Sequence, residues 1–375
     1  MPRLSTAILM FLALIFLQCQ DQRDREAGPL VGVGNPADVP EPGETPNPNQ
    51  WLVSPVFDGG PGKDGIPALE DPVMIATSQA SYLRETDLVI GFVEGDEARA
   101  YPHPILDWHE IINDAVGGKE IAISYCPLTG TGIGYDRVIN NTQTTFGVSG
   151  LLYENNLIPY DRATDSNWSQ MLMKSVNGVL IGTQAKVVRV IETSWSTWKK
   201  MFPGTKVVST NTGHDRPYDR YPYVRGASDY RDDHNFVLFP IGFDDRRLQR
   251  KDRVHGIIVN QRTKVYPFNS FGGQKTVIND VVNGQPVVVG VSGADNLIVS
   301  YLRTVSGVDL EFEIVTDNFE IYPFNLRSDD GTIWNVLGKA VSGPRVGQQL
   351  VPTLSYNSFW FAWGTFFRGA DIYGQ

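Results

Sequence analysis

The sequence predicts a β-rich α+β fold, built as two tandem pseudo-symmetric repeats of mostly antiparallel strands with short helices. Three observations predict it. Of the 375 residues, 41% are hydrophobic and 20% charged, enough for a packed core, while 37 Gly and 24 Pro suit short strands and tight turns better than long helices. Stretches such as "KEIAISY" and "QPVVVGV" are β-prone, the first with the alternation that marks a strand. Finally, the chain repeats itself. "YPHPILDWHEIINDAVGGKEIAISYCP" from Tyr101 recurs as "YPFNSFGGQKTVINDVVNGQPVVVGVS" from Tyr266, with Ile112-Asn113-Asp114 matching Ile278-Asn279-Asp280 at an offset of 278 − 112 = 166. Tyr135, Arg137, Phe146 and Trp168 match Tyr301, Arg303, Phe312 and Trp334 at that offset, and Trp195 and Trp198 match Trp360 and Trp363 at 360 − 195 = 165.

The chain opens with Arg3 and the apolar run "LSTAILMFLALIFL", too short for a comfortable membrane span and laid out like a secretory signal. Its end, "FLQC", is similar to a lipoprotein signal with Cys19 as the lipidated residue; plain secretion and an uncleaved anchor are the other readings. Residues 1–19 are therefore expected to be a signal, 20–50 a flexible tether rich in Pro, Asn and Gly, and 51–375 the globular body. That body is expected outside the cytoplasm, in the cell envelope, with the membrane as partner through Cys19. The net charge of −10 argues against a nucleic-acid partner, which would call for a Lys/Arg excess.

Repeat 1 is expected at about 88–210, a connector at 211–251 and repeat 2 at about 252–375. "DLVIGFVEG" and "EARAYP" predict a hairpin around Gly95-Asp96. "WHEIINDAVGG" predicts a short helical turn ended by Gly117-Gly118, and "GIGYDRVINNTQTTFGV" a second hairpin turning at Asn140-Asn141. "TSWSTWKKMFP" predicts a helix, capped by Thr193 or Ser194, with Trp195, Trp198 and Phe202 on one face. The connector carries His214, Asp215, Asp219, Asp232, Asp233 and His234 without EF-hand or zinc spacing, and reads as a solvated loop.

The duplication separates residues the fold needs from residues free for chemistry. Cys126 aligns with Ser292 and His109 with Lys275, so neither thiol nor imidazole is required by the fold at these places. If Cys19 carries lipid, Cys126 has no partner for a disulfide. Within hydrogen-bond reach of each other, Cys126 and His109 would form a thiolate centre: Cys126 as metal ligand or catalytic nucleophile, His109 as ligand or base. The metal expected of a Cys/His set, completed by a weak Met such as Met171 or Met173, is copper. His103, Asp107, Tyr125, Asp161 and Trp168 are the expected pocket and supporting residues. The competing readings are a single-cysteine enzyme without metal, a binding module using an aromatic and polar cleft, and a buried cysteine that packs as a small hydrophobe. No Ser-His-Asp motif, Walker motif, dinucleotide fingerprint or HExxH is present.

The segments Trp108–Asp114 ("WHEIIND") and Tyr125–Gly130 ("YCPLTG"), with "SWSTWKKMFPGTKVVSTNTGHDRPYDRYP" and "FWFAWGTFF", resemble the DUF3179 family, a prokaryotic family named for having no assigned function. The resemblance covers nearly everything after about residue 51. His109 and Cys126 fall on the two motifs. Many relatives carry a second cysteine where this chain has Thr129, so the resemblance implies no dithiol redox mechanism here.

Overall fold

The computed structural model describes residues 47–225, 228–316 and 321–375. The signal and most of the tether, with Cys19, lie outside the described residues. Strands make up 44% of the structure and helix 9%, with three α-helices, so the fold is β-rich as expected.

In the N-terminal half, β1 (Leu88–Glu94) and β2 (Glu97–Pro102) form the hairpin around Gly95-Asp96. Helix α1 (His103–His109) leads into β3 (Ile111–Val116), which pairs with β4 (Lys119–Cys126), and β4 with β5 (Thr131–Asp136). The expected helical turn in "WHEIINDAVGG" is thus corrected. The helix lies earlier, and 111–116 is a strand whose hairpin with β4 turns at Gly117 and Gly118, both at positive φ (56° and 79°). Strands β6 (Phe146–Tyr153) and β7 (Asn156–Asp161) seed a third sheet, and β8 (Ile191–Ser194) joins β1 before helix α2 (Trp195–Met201). The Ser194 hydroxyl accepts the Thr197 N–H at 3.3 Å, the cap expected from sequence.

The C-terminal half carries β9 (Arg253–Val259), β10 (Arg262–Pro267), β11 (Lys275–Val282), β12 (Gln285–Ser292), β13 (Leu297–Leu302), β14 (Leu354–Phe359) and helix α3 (Trp360–Phe366). The sheet order 14-9-10 here parallels 8-1-2, and 11-12-13 parallels 3-4-5. Several contacts come in equivalent pairs. Asn113 holds both backbone groups of Phe146, and Asn279 both of Phe312. Tyr101 donates to Asp114 and Tyr266 to Asp280. Gly91 lies under the Trp198 ring and Gly256 under the Trp363 ring, so close that an added Cβ would sit 2.1 Å from ring carbons at either site.

The halves reach into each other. One hydrophobic cluster joins Cys126, Tyr135, Phe146 and Trp168 to Phe359, Trp360 and Trp363, and another joins Trp195 and Trp198 to Tyr301, Phe324 and Trp334. The Phe359 N–H donates to the Thr129 carbonyl at 2.7 Å, and the Ser194 N–H to the Asp295 carbonyl at 3.4 Å. Burial of six tryptophans at 2% exposure or less makes this shared interior the main source of stability.

Candidate functional site

Helix α1 and the end of β4 bring the sequence-predicted residues into one neighbourhood. Glu110 ends the helix at φ +57°, and its backbone takes the N–H of Tyr125 at 2.7 Å, tying the helix to β4 one residue before Cys126. The thiol then opens the turn 127–130: the Thr129 N–H donates to the Cys126 carbonyl at 3.2 Å, and the Thr129 carbonyl receives Phe359 from the other half. The segment is thus a junction between halves.

The Cys126–His109 pair is not made. His109 is fully buried, and both ring nitrogens are occupied: Nδ1 lies 2.7 Å from the Pro67 carbonyl and Nε2 2.7 Å from the Tyr218 hydroxyl. A carbonyl only accepts, so Nδ1 carries the proton and Nε2 accepts from Tyr218. Burial depresses the His109 pKa to about 4, leaving the ring neutral. Cys126, 1% exposed, directs its sulfur at the Asn155 carbonyl at 3.6 Å. Burial, reinforced by the nearby Glu110 carboxyl, pushes the thiol up to about 11, so it keeps its proton at neutral pH. A protonated, sealed thiol and an imidazole with no free nitrogen do not fit a copper centre, and among the described residues no group of three His, Cys, Asp or Glu could hold a metal. Met171 and Met173 are core side chains.

Asp107 and His103 are each 5% exposed and leave Oδ1 and Nε2 without a hydrogen-bond partner. Burial raises Asp107 to about 7, offset in part by Arg231, whose guanidinium stands 3.9 Å away. His103 packs against Tyr125 with ring centroids 4.2 Å apart and the rings tilted by 36°, and burial, then Arg253 and Arg231, push its pKa well below the ordinary value. Asp161 and Trp168 serve the fold: the Trp168 N–H donates to Asp161 at 3.0 Å, and the carboxylate also takes the Thr164 N–H and hydroxyl.

The residues that sequence reasoning missed come from the connector. His214, Asp215, Asp219 and Asp232 are exposed, as a solvated loop has them, but the connector's tyrosines turn inward: Tyr218 lies on His109, Tyr221 on the Pro127 carbonyl (3.2 Å) and Tyr223 on the Glu110 carboxyl (3.2 Å). Burial raises Glu110 to about 7. Lys251, 4% exposed, places its Nζ 3.0 Å from the centre of the Tyr230 ring and 4.8 Å from that of Phe361, with no hydrogen-bond partner. Burial lowers it to about 6. The ground around Cys126 is therefore a near-neutral polar interior of acid, amine, phenol and thiol. The one signal for it in the sequence was the density of tyrosines in "RPYDRYPYVRGASDY".

Open space lies elsewhere, between the halves. A cleft of ≈ 420 Å³ is bounded by β5 and residues 187–190 on one side and by β13, β14 and His255 on the other. That volume lies in the range of small-molecule sites. Its wall mixes apolar residues such as Ile133 and Ile298 with Glu192, Ser300, Thr353 and Asn357. Glu192 is ion-paired with Arg253 and lies 3.8 Å from His103, connecting the cleft to the interior around Tyr125.

A family model described as "Protein of unknown function (DUF3179)" matches residues 63–370. No curated protein and no solved structure matches the chain.

Proposed function

The chain belongs to the DUF3179 family, and on that premise we propose that it is a ligand-binding protein of the cell envelope, held to the membrane through lipid on Cys19, that takes a small molecule into the cleft between two duplicated halves. The observation that carries this reading is the cleft itself: its two walls come from different halves, and polar groups converge on it from β8, β9, β13 and β14. The duplication is supported by the paired contacts of Asn113 and Asn279, of Gly91 and Gly256, and of Ser194 and Phe359. The Cys126 neighbourhood acts as the joint that holds the walls in place, because its turn accepts the other half's Phe359.

The test uses a panel of small carboxylic acids, alcohols and esters in thermal-shift measurements on the wild type and on Ser355→Trp, which plugs the cleft. The reading expects panel members that raise the wild-type melting temperature and leave the plugged variant unmoved. Shifts that survive the plug, or a wild type that none of the panel moves, count against it. Localisation is tested separately by fractionation: Cys19→Ala should leave the membrane pellet.

A further inference from the structure

Within the cleft, three side chains from three strands form a hydrogen-bonded relay. His255 on β9 and Asn357 on β14 are direct cross-strand partners, and the His255 Nδ1 stands 2.9 Å from Asn357 Oδ1. Its other nitrogen, Nε2, stands 2.8 Å from the hydroxyl of Ser300 on β13. The Asn357 oxygen only accepts, so Nδ1 carries the ring proton and Nε2 is left as an acceptor for Ser300. The Thr353 hydroxyl lies 2.5 Å from Ser300 Oγ, and Ser355 Oγ, at 3.2 Å, is a second acceptor for the Ser300 proton. His255, Ser300 and Asn357 are 5%, 5% and 6% exposed, yet all three line the cleft. A neutral imidazole between a hydroxyl and an amide oxygen is the arrangement that activates a nucleophile, and such relays are recognised by geometry rather than by chain order. The first half lacks it: Ile90 and Glu192 occupy the places of His255 and Asn357, as an equivalent cross-strand pair.

Resting on the reading of the cleft as the ligand site, we propose that this ligand is a small carboxylic ester and that Ser300, His255 and Asn357 hydrolyse it. Ser300 Oγ attacks the ester carbonyl carbon while its proton passes to His255 Nε2. The carbon–oxygen bond to the alcohol breaks, the alcohol leaves with that proton, and an acyl group remains on Ser300. Water then attacks the acyl carbon, giving a proton to Nε2, which returns it to Ser300 as the carboxylic acid departs. Asn357 holds the imidazole in the tautomer that both steps use. Burial lowers the His255 pKa to about 4, which keeps the ring unprotonated at neutral pH but makes it a weaker base than a free imidazole, so the proton transfer rests on the placement of Nε2 at 2.8 Å from Ser300 Oγ.

The experiment treats the full chain, in detergent, with a fluorophosphonate probe and maps the adduct by mass spectrometry, alongside hydrolysis of p-nitrophenyl acetate and butyrate. The adduct is expected on Ser300 in the wild type. Ser300→Ala should lose it and, like His255→Ala, lower hydrolysis by about 100-fold or more. Asn357→Leu, which leaves Nδ1 without its acceptor, should also lower hydrolysis while the adduct of the variant still maps to Ser300. An adduct mapped elsewhere, or hydrolysis that survives Ser300→Ala, overturns the assignment. Because the adduct is read on wild-type protein, the result does not depend on the variants folding. If no adduct forms while small ligands still give thermal shifts blocked by Ser355→Trp, the hydrolytic assignment falls and the binding site stands. If neither occurs, both fall.

Discussion

Lys251→Met is the sharpest probe of the interior beneath the Cys126 turn. The wild-type ammonium would sit in a cage of Tyr230 and Phe361 with no hydrogen-bond acceptor, and burial lowers its pKa from 10.5 to about 6. Between those two values the unfolded chain binds one proton more than the folded one, so folding stability rises with pH, by ~1.4 kcal/mol per unit. From pH 7 to 9 this amounts to ~3 kcal/mol. At pH 7 the folded protein bears a cost of roughly 5 kcal/mol for holding the amine neutral. Methionine has nearly the same length and carries no proton to lose. The variant is therefore expected to be more stable at pH 7, by a few kcal/mol after repacking, with the gap closing as pH rises toward 10.5. Denaturant titrations of both proteins at half-unit steps from pH 6.5 to 9 measure it. Identical pH slopes, or a variant less stable than wild type at pH 7, would refute the reasoning, because either result means the amine is charged and partnered in the folded state.

Other outcomes follow from the same structure. Cys126, sealed and raised to about 11, is expected to resist iodoacetamide at pH 7.5 in the native protein and to react at once in denaturant, with peptide mapping as the readout; rapid stoichiometric alkylation of the native chain would restore the thiolate reading. Gly91→Ala and Gly256→Ala each drive a methyl to 2.1 Å from a tryptophan ring, so each should lower stability by about 1–3 kcal/mol or more, and by similar amounts, in thermal unfolding. A large effect at one and none at the other would count against equivalent packing in the two halves.

Local patterns in this sequence were legible because local physics produces them. The hairpin at Gly95-Asp96, the turn at Asn140-Asn141 and the Ser194 cap are set within a few residues, and the structure forms each. "WHEIINDAVGG" misled because Ile111–Val116 also suits a strand, and pairing with β4 across Gly117-Gly118 settles its form. The candidate site was harder. Cys126 and His109 are close along the chain, yet the imidazole went to Pro67 and to Tyr218, 109 residues away. The Tyr223–Glu110 bond spans 113 residues and His255–Asn357 spans 102. No spacing rule reaches so far.

What the sequence determined by itself is the β-rich class and membership of the family, since alternation, turn chemistry and motif all act over short range. What only the tertiary structure decided is which polar groups meet. Contacts between residues far apart along the chain sealed the thiol, lowered the pKa of the buried amine and placed a serine beside a histidine at the cleft. Burial and long-range contact set the charge state of a side chain, and neither is written in its neighbours along the chain.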